Sequence, residues 1–266
     1  MRLATWNINS VRARADRAVA WLERTGTDVL ALQETKVADA KFPYAVFEAA
    51  GYEVAHVGLS QWNGVAVVSR VGIEDVEVGF PGQPAFGAET PVVEARAIGA
   101  TCGGVRVWSL YVPHGRAVGD PHYAYKLEWL ARLRDAARSW LDPATGDPGA
   151  QVALVGDWNV IPLDTDVWDV REFDGHTHVT QPERDAFAAF ADAGYTEVSR
   201  VFVPDEHTYT YWDYKQLAFP RNKGLRIDFA WASPALAARV SGVTIDRDAR
   251  KGTGPSDHVP VVVDLV

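Results

Sequence analysis

Short apolar runs that stop on polar residues constrain this chain more than any other feature. Leu3–Asn7, Val29–Gln33, Val65–Ser69, Val105–Tyr111 and Val152–Val155 are rich in β-branched residues and end at or near Asn, Glu, Ser, Pro or Gly-Asp. Runs this short, bounded by turn residues, read as buried strands rather than helices. Tyr52–Val57, Ile73–Val78, Val92–Ile98, Ile227–Ala232 and Val259–Leu265 read the same way. Arg12–Arg24, Pro43–Ala50, Tyr123–Trp140 and Pro182–Ala193 read as helices, and Tyr123–Trp140 places Leu127, Leu130, Leu133 and Ala137 on one face. Some strands alternate with helices and others follow one another directly. That mixture predicts an α/β fold with a mixed sheet, or two sheets with helices outside, and periodicity leaves the choice open.

Length and composition narrow the setting. At 266 residues the chain fits one domain, and the Pro/Gly/Asp-rich stretch Asp142–Ala150 is the only plausible linker. The strand after it repeats the character of those before it, so residues 1–266 are expected to form one domain. No apolar window approaches the roughly 20 residues of a membrane span, and the first residues lack the apolar run of a secretion signal. The single cysteine, Cys102, excludes an internal disulfide and a cysteine-based zinc site. A reducing cytoplasm is the simplest setting. A net charge of −9 argues against a protein that coats nucleic acid, but not against an enzyme whose carboxylates hold a metal beside one basic face.

Polar residues placed just beyond buried strands carry the chemistry, because strand ends are where open α/β sheets gather their ligands. Asn7 and Asn9 follow the first run, Glu34 the second, and Asp157 and Asn159 follow Val152–Gly156. Asp257 and His258 precede the last run, and Asp228 interrupts an apolar stretch. Carboxylates and amide oxygens are hard donors that suit Mg²⁺ or Mn²⁺ and suit zinc poorly. A site centred on Glu34 with help from Asn7 meets the modest ligand demand of Mg²⁺. A histidine beside buried acids offers a proton or a positive charge to a phosphate oxygen. Taken singly, each of these residues reads equally well as a cap or a turn.

Their order is more specific. Asn7-Ile8-Asn9-Ser10-Val11-Arg12, Leu32-Gln33-Glu34-Thr35-Lys36, Tyr111-Val112-Pro113, Gly156-Asp157-Trp158-Asn159, Gly224-Leu225-Arg226-Ile227-Asp228 and Ser256-Asp257-His258 occur in sequence. The pattern resembles exonuclease III and the apurinic/apyrimidinic endonucleases of the endonuclease/exonuclease/phosphatase superfamily, across nearly the whole chain. The resemblance implies a four-layer α/β sandwich, two packed mixed sheets flanked by helices. It implies a catalytic set of Tyr111, Asp157, Asn159, Asp228 and His258. It implies metal-site residues Asn7, Glu34, Asp157, Asn159, Asp257 and His258, with Mg²⁺ as cofactor and Mn²⁺ as a substitute. Asp157 would orient or deprotonate the attacking water, with Asn159 as its partner. Asp228 would hold His258 against the phosphate, and Tyr111 would assist the leaving group.

The same resemblance places Tyr211, Trp212 and Ile227 around a small pocket for a flipped, base-less sugar, where unstacking costs least. Arg12, Lys36, Lys126, Asn222 and Arg226 join that set as DNA contacts. Lys215, Arg221 and Lys223 also lie in an acid-free basic stretch, Lys215–Arg226, and Arg14 and Arg17 follow the first strand. The implied partner is double-stranded DNA with abasic sites or blocked 3′ ends, bound by a monomer with no membrane involvement. The implied activity is cleavage 5′ to an abasic site, with 3′–5′ exonuclease and end-cleaning activity.

Several residues depart from the pattern. His114 stands where relatives carry an amide, and Asn63 where some place an aromatic. His176-Thr177-His178 has no third metal ligand nearby in sequence and reads as an ordinary loop. Cys102, in Thr101-Cys102-Gly103-Gly104, reads as a hairpin residue. Two other readings remain: a superfamily branch acting on inositol phosphates or sphingolipids, and a nucleic-acid-binding relative without catalysis.

Overall fold

The computed structural model describes residues 1–266. In chain order the strands are β1 (Arg2–Asn7), β2 (Val29–Gln33), β3 (Glu53–Val57), β4 (Val65–Ser69), β5 (Glu74–Val78), β6 (Ala97–Cys102), β7 (Val105–Tyr111), β8 (Val152–Asp157), β9 (Thr196–Glu197), β10 (Asp228–Ala232), β11 (Val240–Ile245) and β12 (Val261–Leu265). The helices are α1 (Val11–Thr25), α2 (Tyr44–Ala49), α3 (Pro121–Leu141), α4 (Gln181–Asp192), α5 (Val198–Phe202) and α6 (Pro234–Ala237). The strands form two six-stranded sheets, ordered β11-β12-β1-β2-β4-β3 and β5-β6-β7-β8-β10-β9. Each sheet has one parallel pair, β1/β2 and β7/β8, joined through α1 and α3 respectively, and its other pairs are antiparallel.

Alternation along the strands sorts the core into layers. Leu3, Val29, Ala31, Val65 and Val67 of the first sheet face Ile98, Val105, Val107, Ala153 and Val155 of the second. The opposite faces carry larger side chains. Trp6, Leu30 and Leu32 pack beneath Ala15, Ala18, Trp21 and Leu22 of α1. Trp108, Leu154 and Trp231 pack beneath Trp129, Leu130 and Leu133 of α3 and Phe187 and Phe190 of α4. The result is helix–sheet–sheet–helix, the four-layer sandwich that the resemblance implies. Local chemistry sets the helix limits: Gly26 ends α1 with φ 62°, Asp120 caps α3 ahead of Pro121, and Thr180 and Glu183 form a capping box on α4. No helix is long and apolar enough to cross a membrane.

The sheet departs from expectation at Val92–Ile98. Only Ala97 and Ile98 belong to a strand, which continues to Cys102. Val92 and Val93 are exposed, and Arg96 turns to pair with Glu94 at 2.6 Å, which ends the ladder there. β11, the short β9 and the short helices α5 and α6 have no counterpart in the sequence reading. β11 is an edge strand whose register shifts between Val240 and Gly242, so it never shows a clean alternation. Cys102 is buried at the end of β6, in the β6–β7 hairpin as expected.

Candidate active site

The parallel pairs decide where the site forms. β1 and β2 run side by side to Asn7 and Gln33, and β7 and β8 to Tyr111 and Asp157. β10 runs antiparallel to β8, so it begins at the same end with Asp228 opposite Asp157. β12 runs antiparallel to β1, so the residues just before it, Asp257 and His258, return to that end as well. A buried polar layer ties the two sheets together beneath this edge. Gln33 Nε2 donates to Thr5 Oγ1 (3.0 Å) and to Ser109 Oγ (2.9 Å), and Ser109 donates to the carbonyl of Leu32 (2.8 Å).

The backbone is strained where the strands end. Asn9, Glu34, Lys36 and Asn159 all hold positive φ, between 44° and 53°, a region L-residues with side chains visit rarely. Such conformations persist only when surrounding contacts enforce them, and they gather at functional sites. Gly156 serves a different need. A Cβ there would lie 1.9 Å from the carbonyl oxygen of Leu110, so only glycine lets β8 approach β7 so closely just before Asp157.

Asn7 is the hub. Its Nδ2 donates to Glu34 Oε1 (2.8 Å) and to Asp157 Oδ2 (2.9 Å), joining a carboxylate from each sheet. Donor atoms of Glu34, Asp157 and His258 all lie within 4.8 Å of one another. His258 Nδ1 donates to Asp228 Oδ2 at 2.8 Å, which turns Nε2 toward Asp157 Oδ2, 3.8 Å away. Asp157 Oδ1 accepts from the backbone N–H of Asn159 (3.0 Å). The Asn159 amide donates to the carbonyl of Val112 (2.9 Å) and accepts from His178 Nε2 (3.1 Å). Lys36 Nζ pairs with Glu34 Oε2 (2.7 Å) and donates to Asn9 Oδ1 (2.6 Å), and Asn9 donates to Asp257 Oδ1 (2.9 Å).

Burial and neighbours set the charges. Burial, with Asp228 and Glu34 nearby, pushes the Asp157 carboxyl up to about 7, although His258 opposes this. Burial alone would favour a neutral His258, but Asp228 outweighs it and raises the imidazole to about 10. Glu34 moves the other way. Burial works against its charge, yet Lys36 and Asn7 hold it below the usual carboxylate range. Burial and the charge on Glu34 push the Tyr111 phenol well above its ordinary value, so it stays protonated, beneath the Arg96 guanidinium 4.8 Å from its ring centre. The arrangement offers a fixed anion, a carboxyl poised near neutrality, an imidazolium and a neutral phenol around one cleft.

Comparison with known proteins supplies the family. Residues 4–258 match the model of the endonuclease/exonuclease/phosphatase family. The chain belongs to that family. It is 30% identical to exodeoxyribonuclease III of Haemophilus influenzae, over 98% of both chains. Among solved structures it resembles a 3′ phosphatase from Neisseria bound to product DNA hairpin, with TM-score 0.91 and 35% identity over 100% of this chain and 99% of that one. It also resembles an AP endonuclease from Archaeoglobus fulgidus, with TM-score 0.90 and 34% identity over 100% and 99% of the two chains.

In this member of the endonuclease/exonuclease/phosphatase family the cleft measures about 590 Å³ and is lined by Glu34, Tyr111, Asp157, Asn159, Asp257 and His258. Tyr211 and Ile227 line it as expected, on an apolar wall completed by Leu225, Trp168 and Phe173. Trp212 does not. It is 1% exposed, packed against Phe219, and its indole N–H reaches Asn222 Oδ1 (3.3 Å). Asn222 itself is exposed on the loop beyond, as is Arg12 at the start of α1.

Two expected DNA contacts are sealed inside the protein. Arg226 is fully buried and donates to the carbonyl of Val203 (2.8 Å), and Lys126 is fully buried in an ion pair with Glu183. Their positive charge made them look like surface residues, and the partners that bury them are remote in sequence. Sequence reasoning also missed Trp168, Phe173 and Leu225, and read His178 as an ordinary loop residue although it contacts Asn159. All but Leu225 come from the irregular segment between β8 and α4, where no periodicity marks an inward face. The His-x-His spacing was the one visible signal.

Proposed function

We propose that this protein is a DNA repair nuclease that hydrolyses the phosphodiester bond 5′ to an abasic site, leaving a 3′-hydroxyl, and that it clears nucleotides or blocking groups from 3′ ends. One observation carries the reading: the Asn7 amide clasps Glu34 and Asp157 from opposite sheets, directly facing the Asp228–His258 pair. The 3′-end activity draws further support from the similarity to the Neisseria 3′ phosphatase.

The donor set fits a hard divalent cation. Glu34, kept ionised by Lys36, stands beside Asp157 and the Asn7 amide, with no thiolate near. Glu34, Asn7 and Asp157 would hold Mg²⁺, or Mn²⁺ in its place. When bound, the ion supplies charge neutralisation for the phosphate. Asp157 accepts the proton of the attacking water, and the Asn159 main-chain N–H fixes its other oxygen. Held by Asp228, His258 presents Nε2–H to a phosphate oxygen. Charged through its contact with Asp228, it acts as a donor there. Tyr111, as a neutral phenol, donates toward the leaving group. The wall formed by Tyr211, Leu225, Ile227 and Trp168 receives a sugar without its base. Lys215 and Lys223 offer phosphate contacts at the cleft, and Lys36 adds a positive charge behind Glu34. Every residue named comes from one chain, so a monomer suffices, and a reducing cytoplasm suits the one buried thiol.

The test uses duplexes with one abasic site and duplexes ending in a 3′-phosphate, incubated with magnesium or with chelator and resolved by fragment size. Magnesium-dependent incision on the 5′ side of the abasic site, together with phosphate release, is the expected result. Turnover of a phosphoinositide with no DNA cleavage would overturn the proposal.

A further inference from the structure

Lys126 and Glu183 form an ion pair from which solvent is wholly excluded, both side chains being 0% exposed. Lys126 Nζ also donates to the main-chain carbonyl of Asn159 (2.6 Å) and, more weakly, to that of His114 (3.4 Å). Glu183 Oε2 accepts from Thr180 Oγ1 (2.7 Å) and the Thr180 N–H (3.2 Å). Thr177 Oγ1 reaches both Glu183 Oε1 (2.5 Å) and the carbonyl of His114 (3.2 Å). α3, α4, the loop after β7, the loop after β8 and the segment leading into α4 therefore converge on one pair of charges. The convergence is tight: a Cβ on Gly115 would lie 2.5 Å from Thr177 Oγ1 and 3.2 Å from Lys126 Cδ.

Burying an ion pair is costly, and a well-packed apolar pair of similar volume is often as stable or more so. Stability alone is therefore a poor account of these two residues. What the pair touches is more telling. Asn159, His114 and Thr177 all line the cleft, and His178, next to Thr177, donates to the Asn159 side chain. Asn159 also holds a positive φ, a left-handed conformation that asparagine adopts more readily than most residues.

We infer that the Lys126–Glu183 pair is a positioning device for Asn159. The ammonium fixes the Asn159 carbonyl from beneath, and Glu183 fixes the Thr177–Thr180 segment that carries His178 against the Asn159 amide. Neither Lys126 nor Glu183 touches substrate. The inference rests on the proposed function, in which Asn159 stands beside Asp157 and the scissile phosphate.

The experiment replaces both charges together, Lys126→Met with Glu183→Leu. The variant should unfold at the same temperature as the wild type or higher. Its kcat on an abasic-site duplex should fall at least tenfold with KM within about twofold, and the salt dependence of DNA binding should be unchanged. Full kcat in a folded double variant overturns the inference. A raised KM with a flatter salt dependence overturns it too, because Lys126 would then be a phosphate contact. If the double variant fails to fold, Glu183→Gln, which keeps the size but removes the charge and turns one acceptor oxygen into a donor, is read by the same kcat-against-KM split. Running both variants on bis(p-nitrophenyl) phosphate separates this inference from the proposed function. A wild type active only on the small ester sinks the DNA reading, while an unchanged kcat on both substrates sinks the positioning role.

Discussion

The β1–α1–β2 and β7–α3–β8 units are built on one plan, each a parallel strand pair with a helix across its outer face, yet the carboxylates they deliver behave in opposite ways. Glu34, just beyond β2, is half-buried and paired with Lys36 at 2.7 Å, which holds it ionised. Asp157, at the end of β8, is 1% exposed, and the one ionisable base paired with it is His258 Nε2 at 3.8 Å, so burial pushes it up to about 7. Strand topology brings both groups to the same edge. The neighbours, not the fold, make one a permanent anion and the other a group that can take up a proton near neutral pH. A site that must hold a cation and also activate water needs both kinds.

The sharpest way to break this division is to neutralise each acid in turn. Asp157→Asn should cut kcat by about a thousandfold, the middle of the range for a lost general base, and added magnesium should not restore it. Glu34→Gln should instead raise the magnesium concentration needed for half-maximal activity. If excess magnesium rescues both variants equally, the two carboxylates do the same work and the distinction fails.

Asp228→Asn tests the partner of Asp157 and should lower kcat by about a hundredfold through loss of the His258 charge. Its stability carries a signature as well. The folded His258 value, about 10, lies above the ordinary 6.5, so this pair stabilises the fold fully below pH 6.5 and ceases to as pH rises through about 10. Thermal unfolding of wild type and variant should differ most near pH 6 and converge toward pH 10. A constant gap across that range would mean that His258 is not charged by Asp228.

How much of this was legible beforehand follows the same line between topology and neighbours. Asn7, Glu34, Asp157, Asp228 and His258 were visible because each interrupts, ends or immediately precedes a buried apolar run, and runs of that kind dictate strands whose ends must gather. The layer order of the sheets was legible only through the family resemblance, because period two is the same in one sheet or two. Lys126 and Arg226 were misplaced for a related reason. Sequence shows a charge but not its burial, and Glu183 lies 57 residues from Lys126. His178 and Trp168 sit in irregular chain, where no repeat tells inside from outside.

A pH profile at limiting substrate refines the comparison further. Asp157 must be ionised to accept a proton, so kcat/KM at low magnesium should fall as pH drops below about 7. Added positive charge favours the ionised form, so raising magnesium should move this acid limb to lower pH by up to about one unit. A limb fixed near the ordinary carboxylate range at every magnesium concentration would show that burial does not control Asp157.

Lys36→Met has the smallest expected effect and bears most directly on why the two acids differ. Lys36 occupies Glu34 Oε2 and adds a positive charge beside the cation site. Removing it frees that oxygen and relieves a like-charge repulsion of about 1 kcal/mol at a partly exposed site, so magnesium should bind about fivefold more tightly by calorimetry without DNA. Lys36 is not among the groups that act most strongly on Asp157, so the acid limb should stay where it is. Should the limb shift along with the magnesium affinity, Glu34 and Asp157 titrate as a single coupled pair across the Asn7 amide, and their opposite behaviours belong to the pair rather than to two separately tuned residues.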